Sequence, residues 1–162
     1  MYNSPWKPIT NGKYFSLDDY KMLEDVYNAQ IWEFSIYRNV KCDILSNRGD
    51  TVRPKTKHWG SELWHYDNHD CNNFKIIIYL NDVSEEDGAF EYKEPIQYFP
   101  HAGDKNIHTR LDLKDIGKKV TGDVGTTLIF KEQIAHKGNY SRKGYRDVIN
   151  IRLRMNDTAM FF

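Results

Sequence analysis

Trp64-His65-Tyr66-Asp67, followed by the apolar run Ile76-Ile77-Ile78-Tyr79-Leu80, is the stretch around which the rest of the chain is organised. In an extended backbone successive side chains point to opposite faces, so His65 and Asp67 share one face and Tyr66 takes the other. One imidazole and one carboxylate then converge on a single point. A second imidazole would complete a two-His, one-carboxylate face, the donor set that holds ferrous iron and leaves the opposite coordination positions open. His136, at the end of the strand-like run Gly125-Thr126-Thr127-Leu128-Ile129-Phe130, is the candidate third ligand.

Composition sets the limits of this reading. A chain of 162 residues is the size of one domain with one packed core. Aromatic residues make up 14% of it, as expected of a globular fold rather than of disorder. Lys plus Arg and Asp plus Glu balance at 23 each, so no overall basic field exists to grip a phosphate backbone, and a nucleic-acid substrate is disfavoured. Cys42 and Cys71 are too few for a disulfide framework or a zinc finger and are read as reduced thiols, with a cytoplasmic location. The opening Met1-Tyr2-Asn3-Ser4-Pro5-Trp6 lacks the apolar core of a signal peptide, and no run nears the roughly 20 apolar residues of a membrane span.

Along the chain, residues 1–15 carry Pro5, Pro8 and Gly12 and read as a loose arm. Ser16 is a candidate cap for a helix over 16–29, with Asp18 and Asp19 in its first turn and Leu17, Tyr20, Leu23, Val26 and Tyr27 at helical spacing. From 31 to 155 the texture changes to short β-branched and aromatic stretches: Ile31 to Tyr37, Asn39 to Leu45, Phe74 to Asn81, Ala89 to Tyr92, Thr126 to Phe130 and Asp147 to Arg154. Turn signals such as Asn47-Arg48-Gly49-Asp50, Glu86-Asp87-Gly88 and Thr121-Gly122-Asp123 separate them. Many short strands at turn-marked intervals indicate a sandwich or barrel. Residues 95–120 lack periodicity and read as a loop near the mouth of the site, with a short helix at Leu113 to Lys118.

Three separated pieces now agree in order and spacing: Trp-His-x-Asp; then Lys75 to Val83 with Gly88 beyond it; then Gly125 to Phe130 leading to His136-Lys137-Gly138 and Arg146. Over roughly residues 58–155 this pattern resembles the phytanoyl-CoA dioxygenase-like branch of the Fe(II)/2-oxoglutarate-dependent oxygenases. The resemblance implies a mainly β fold, a double-stranded β-helix or jelly-roll barrel of cupin type, in a single domain spanning 1–162. It also implies His65, Asp67 and His136 as ligands of Fe(II), and Arg146 as the group holding the distal carboxylate of 2-oxoglutarate, with O2 taking the last open position. A guanidinium suits that carboxylate because its planar fork engages both oxygens.

Strand parity places Arg146, Val148, Asn150 and Arg152 on one face, making Arg152 the second candidate for the clamp and Arg142 a third. The same alternation groups Lys75, Ile77 and Tyr79, and Lys75 and Tyr79 are further candidates to touch cosubstrate. Family members that halogenate replace the carboxylate ligand by a small residue. Asp67 therefore favours hydroxylation.

Duller readings stand beside each assignment. Any one of the six histidines could be a core residue bonded to backbone, His69 shares the parity of His65 and Asp67, and Arg146 could be a surface ion-pair residue beside Asp147. Only about thirty residues precede the first expected strand. A short lid would leave the site open and suit a substrate presented on a larger carrier such as a protein or peptide; a small-molecule substrate is the alternative, and a homo-oligomer could complete the site. The rival functions are a non-catalytic cupin-type binding module, a 2-oxoglutarate-independent iron oxygenase and a nucleobase dioxygenase.

Overall fold

The structure is a computed structural model that describes residues 17–40, 63–67, 72–97, 108–111, 113 and 116–156. Ser16, the arm over residues 1–15, both cysteines, and His58, His69 and His101 lie outside the described residues.

Helix α1 (Leu17–Tyr27) begins with Asp18 and Asp19 in its first turn, where carboxylates oppose the helix dipole. It ends where Asn28 takes φ 45°, and strand β1 (Ala29–Val40) follows at once. The remaining strands are β2 (His65–Asp67), β3 (Asn73–Tyr79), β4 (Phe90–Tyr92), β5 (His108–Arg110), β6 (Lys118–Val120), β7 (Thr127–Lys131), β8 (His136–Gly138) and β9 (Tyr145–Met155). They form two antiparallel sheets in a sandwich-like arrangement. One sheet has the order β1-β9-β3-β7 and the other β5-β2-β8-β4-β6.

Two sequence expectations change. The expected strands 31–37 and 39–45 are, as far as the described residues go, one strand running through Arg38. In the stretch 95–120, Ile116 and Gly117 are not helical and Lys118 opens β6, so the expected helix at Leu113 to Lys118 is not formed by its described residues. That stretch instead supplies β5 and β6, the two edges of the second sheet. Its lack of periodicity has a physical reason: three-residue strands bury too few side chains to show alternation.

The faces of the first sheet divide by parity. Phe74 and Ile76 of β3 and Ile149, Ile151, Leu153 and Met155 of β9 form an apolar cluster with Ala29. Leu23 and Tyr27 of α1 pack on it, with Tyr27 meeting Phe74 edge-on at 6.0 Å. The opposite face turns towards the second sheet. There Ile77, Tyr79, Leu128 and Val148 pack with Val83, Ala89 and Phe90. Tyr79, fully buried, donates its hydroxyl to Val120 O at 2.8 Å and accepts from Phe90 N at 3.3 Å, tying the two sheets together. The isoleucine run is thus covered on both sides, Ile76 by one cluster and Ile77 by the other.

A 3-10 turn at Glu85–Asp87 leads into β4, capped by Ser84 and closed by Gly88 at φ 84°. A Cβ at Gly88 would come within 2.8 Å of Ser141 N and 2.9 Å of Asn39 Nδ2, so only glycine fits both the conformation and the space.

Candidate metal centre

His65 and His136 face one another across the β2–β8 ladder, with ring centroids 4.3 Å apart. Asp67, two residues along β2, falls on the same side, as alternation requires. The carboxylate turns Oδ1 to His65 Nε2 at 3.7 Å and Oδ2 to His136 Nε2 at 3.8 Å. All three candidate ligand atoms lie within 4.8 Å of one another, and all three residues are buried.

The other nitrogen of each ring decides what this group can do. His65 Nδ1 lies 2.8 Å from Leu63 O and His136 Nδ1 2.8 Å from Ile134 O. A carbonyl oxygen only accepts, so the ring proton is assigned to Nδ1 in both residues. Each Nε2 then presents a lone pair towards the carboxylate. Burial holds the His136 imidazole well below its usual range, reinforced by the neighbouring His65 and opposed by Asp67, so this ring is neutral. Two imidazole Nε2 atoms and a carboxylate converge on one point. A divalent cation fits that donor set, and the paired Nδ1–carbonyl bonds are the outer contacts that orient metal-binding imidazoles.

Aromatic rings wall the second imidazole. Phe90 stacks on His136 at 5.4 Å, Phe130 meets it edge-on at 5.2 Å, and the two phenylalanines touch at 4.8 Å. The carboxylate side is charged instead. Lys75 Nζ and Arg152 Nη2 both donate to Asp67 Oδ2, the latter at 3.0 Å. Arg152 also donates from Nη1 to Glu33 Oε2 at 2.9 Å, and its Nε forms an ion pair with Glu132 Oε1 at 2.5 Å. Glu132 is fully buried, and its backbone oxygen accepts from Asp67 N at 2.9 Å. Burial raises its carboxyl above the usual range, with Asp67 adding to the shift and Lys75 and Arg152 opposing it.

Arg146 lies six residues back along β9 on the same face as Arg152 and is 5% exposed. Its Nε and Nη1 have no hydrogen-bond partner among the described residues. The surface ion pair beside it belongs to a different arginine: Arg38 grips Asp147 with Nε at 2.7 Å and Nη2 at 2.6 Å. Tyr37, opposite Val148 in the β1–β9 register, is half-buried, with its phenol near the same space. Burial pushes its phenol up to about 12 against the pull of the Arg146 guanidinium; Glu33, Arg152 and Asp67 act on it as well. The field of Arg146 and that of the charged cluster therefore overlap at Tyr37.

Set against the sequence, the structure brings His65, Asp67 and His136 together and adds Lys75 and Arg152 to the same carboxylate. It gives Arg152 three acidic partners, which leaves Arg146 as the buried guanidinium with donors to spare. Tyr79 sits at the apolar end with its hydroxyl engaged by backbone, and Arg142 is exposed near Glu86. Sequence reading missed Glu33, Tyr37 and Glu132. Glu33 and Tyr37 share parity on β1, a signal that was present; Glu132 lies in the polar trio Lys131-Glu132-Gln133, which carries no pattern.

No protein-family profile matches the chain, and no curated protein matches it. Among solved structures it is similar to EvdMO1, with a TM-score of 0.53 and 14% identity over 80% of this chain and 28% of that one. It is also similar to apo HygX from Streptomyces hygroscopicus, with a TM-score of 0.53 and 19% identity over 86% of this chain and 65% of that one. For HygX with nickel and 2-oxoglutarate bound the values are 0.50 and 15%, over 84% and 64%. The chain thus spans under a third of EvdMO1 and just under two thirds of HygX. At these identities the likeness is one of fold. No helix among the described residues is long and apolar enough to cross a membrane.

Proposed function

We propose that this chain is a non-haem iron oxygenase that couples decarboxylation of 2-oxoglutarate to hydroxylation of a substrate. The observation that carries the proposal is the convergence of His65 Nε2, Asp67 and His136 Nε2 as lone-pair donors, with both Nδ1 atoms committed to backbone carbonyls. The likeness in fold to HygX, whose structure holds nickel and 2-oxoglutarate, supports it. On this reading the sandwich is a jelly-roll double-stranded β-helix in one domain, and the chain belongs with the phytanoyl-CoA dioxygenase-like branch.

Bound Fe(II) supplies the redox chemistry, in which 2-oxoglutarate and O2 give succinate, carbon dioxide and a hydroxylated substrate. The chain's own groups do the rest. His65, Asp67 and His136 would hold the metal on one side and leave the other open. Arg146, buried and with two donors lacking partners among the described residues, would hold the distal carboxylate of the cosubstrate through a bidentate contact. Phe90 and Phe130 keep water from the His136 side. Asp67 would fill the coordination position that halide would need, which favours hydroxylation. The balanced charge fits a small-molecule or carrier-presented substrate in the cytoplasm better than nucleic acid, with homo-oligomers as a route to closing the site.

Succinate formation from 2-oxoglutarate, measured with ferrous iron and ascorbate, tests the proposal. The wild type should turn over slowly without added substrate. His136→Ala should lose far more than the roughly 100-fold that removing an outer contact costs. Equal succinate from both proteins would sink the oxygenase reading and leave a fold used only for binding.

A further inference from the structure

Asp67 Oδ2 accepts from Lys75 and Arg152 at once, and it is the same oxygen that faces His136 Nε2 at 3.8 Å. The carboxylate that would enter a metal's shell is therefore already neutralised by two side-chain cations. The two cations are unequal. Arg152 is held by Glu33, Asp67 and Glu132, so loss of one contact leaves two. For Lys75 the second acidic partner is Glu132 Oε1 at 3.8 Å, beyond hydrogen-bond reach, with the Phe130 ring 5.8 Å away. Its ammonium is a point charge on a flexible four-carbon stem and can re-aim without disturbing the strand.

Charge balance says when it would do so. The buried Asp67 and Glu132 and the partly exposed Glu33 face two cations, and a divalent ion placed among His65, Asp67 and His136 adds positive charge there. Repulsion between that ion and the Lys75 ammonium is strong at low dielectric, and an incoming dicarboxylate relieves it.

We propose that Lys75 is an exchangeable counter-ion. It holds Asp67 Oδ2 while no divalent ion is bound, leaves that oxygen when a metal enters, and turns to a carboxylate of the incoming 2-oxo acid. Metal and 2-oxo acid then bind with positive coupling, each raising the affinity for the other by the same factor. This rests on the metal-centre reading above and adds an order of events to it. Lys75 acts here as a positioning residue whose charge must be moved before the site is complete.

The test is binding of Co(II), a redox-stable stand-in, to the wild type, Lys75→Met and Lys75→Arg, with and without saturating 2-oxoglutarate, followed by calorimetry. In the wild type 2-oxoglutarate should tighten Co(II) binding by about tenfold or more, within the usual range for coupled sites. Lys75→Met should bind Co(II) about tenfold more tightly than the wild type when 2-oxoglutarate is absent, and should lose most of the coupling. Lys75→Arg, which keeps the charge, should retain it. Identical Co(II) affinity and coupling in the wild type and Lys75→Met overturns the proposal while leaving the metal centre intact. Failure of the wild type to bind Co(II) overturns both. A second measurement needs no variant: acylation of Lys75 by an amine-reactive reagent, read by peptide mass spectrometry, should rise when Zn(II) is added alone and fall again with 2-oxoglutarate. Equal labelling under the three conditions also overturns it.

Discussion

The two faces of β9 share one backbone and carry opposite chemistry. On the face towards α1, Ile149, Ile151, Leu153 and Met155 join a closed apolar cluster with β3 and Ala29. Towards the second sheet, Arg146, Asn150 and Arg152 are buried polar groups around a single apolar residue, Val148. Burying a charge without partners costs several kcal/mol, so the second face is tolerable only because Arg152 has three carboxylates, and Arg146 is anomalous because two of its donors have no partner among the described residues. One face closes the apolar core between the first sheet and α1. The other spends stability on a constellation that a ligand would complete.

Substitutions on either side should separate these roles. Arg146→Met is expected to weaken 2-oxoglutarate binding by about 2 to 5 kcal/mol, the usual loss when one member of a buried charge pair is truncated. Thermal stability should hold or rise, because a buried guanidinium with unpaired donors is removed. Calorimetric titration alongside a melting curve checks both halves; a collapse in melting temperature with unchanged 2-oxoglutarate affinity would reverse the roles of the two faces. On the apolar face, Ile151→Ala should cost about 2 to 5 kcal/mol of folding stability by denaturant unfolding, while Co(II) affinity of the folded variant stays within about threefold.

The smallest effect is expected away from both faces, at Glu91. Burial pulls its carboxyl up, but donors from Asn139 Nδ2 at 2.8 Å and Gly117 N at 2.6 Å, with the Lys137 ammonium, outweigh it and leave it below the ordinary 4.5. A depressed native value means that the unfolded state binds more protons just below pH 4.5, so this stability is present above that pH and lost as pH falls through the native value. Glu91→Gln should therefore flatten the acid limb of the stability curve below about pH 4.5 and leave the neutral region parallel to the wild type, as followed by circular dichroism. An acid limb of unchanged slope would mean that another carboxylate governs it.

Much of this was legible beforehand because alternation is geometric. His65 and Asp67 share a face whatever surrounds them, and the parity of β9 grouped Arg146 with Arg152 correctly. Which arginine is occupied was not legible, since the answer depends on Glu33 and Glu132, distant in sequence and adjacent only after folding. Tyr79 illustrates the same limit: its parity suits a site residue, but the hydroxyl is spent on Val120 O and Phe90 N at the apolar end. Strands β5, β6 and β8 escaped notice because each is three residues long and lacks the apolar run or turn signal that marked β4, equally short, after Gly88.

The pairing of β1 with β9 joins Ala29 to Met155, so the first strand of the sheet waits for the last. Until Tyr145–Met155 has left the ribosome, β1 and β3 both lack the neighbour they share, and neither Arg146 nor Arg152 exists to meet its partners. Assembly of such a sheet is a long-range event, slow by topology and exposed to mispairing at two open strand edges. Any metal centre built on it would have to wait for β9 to pair.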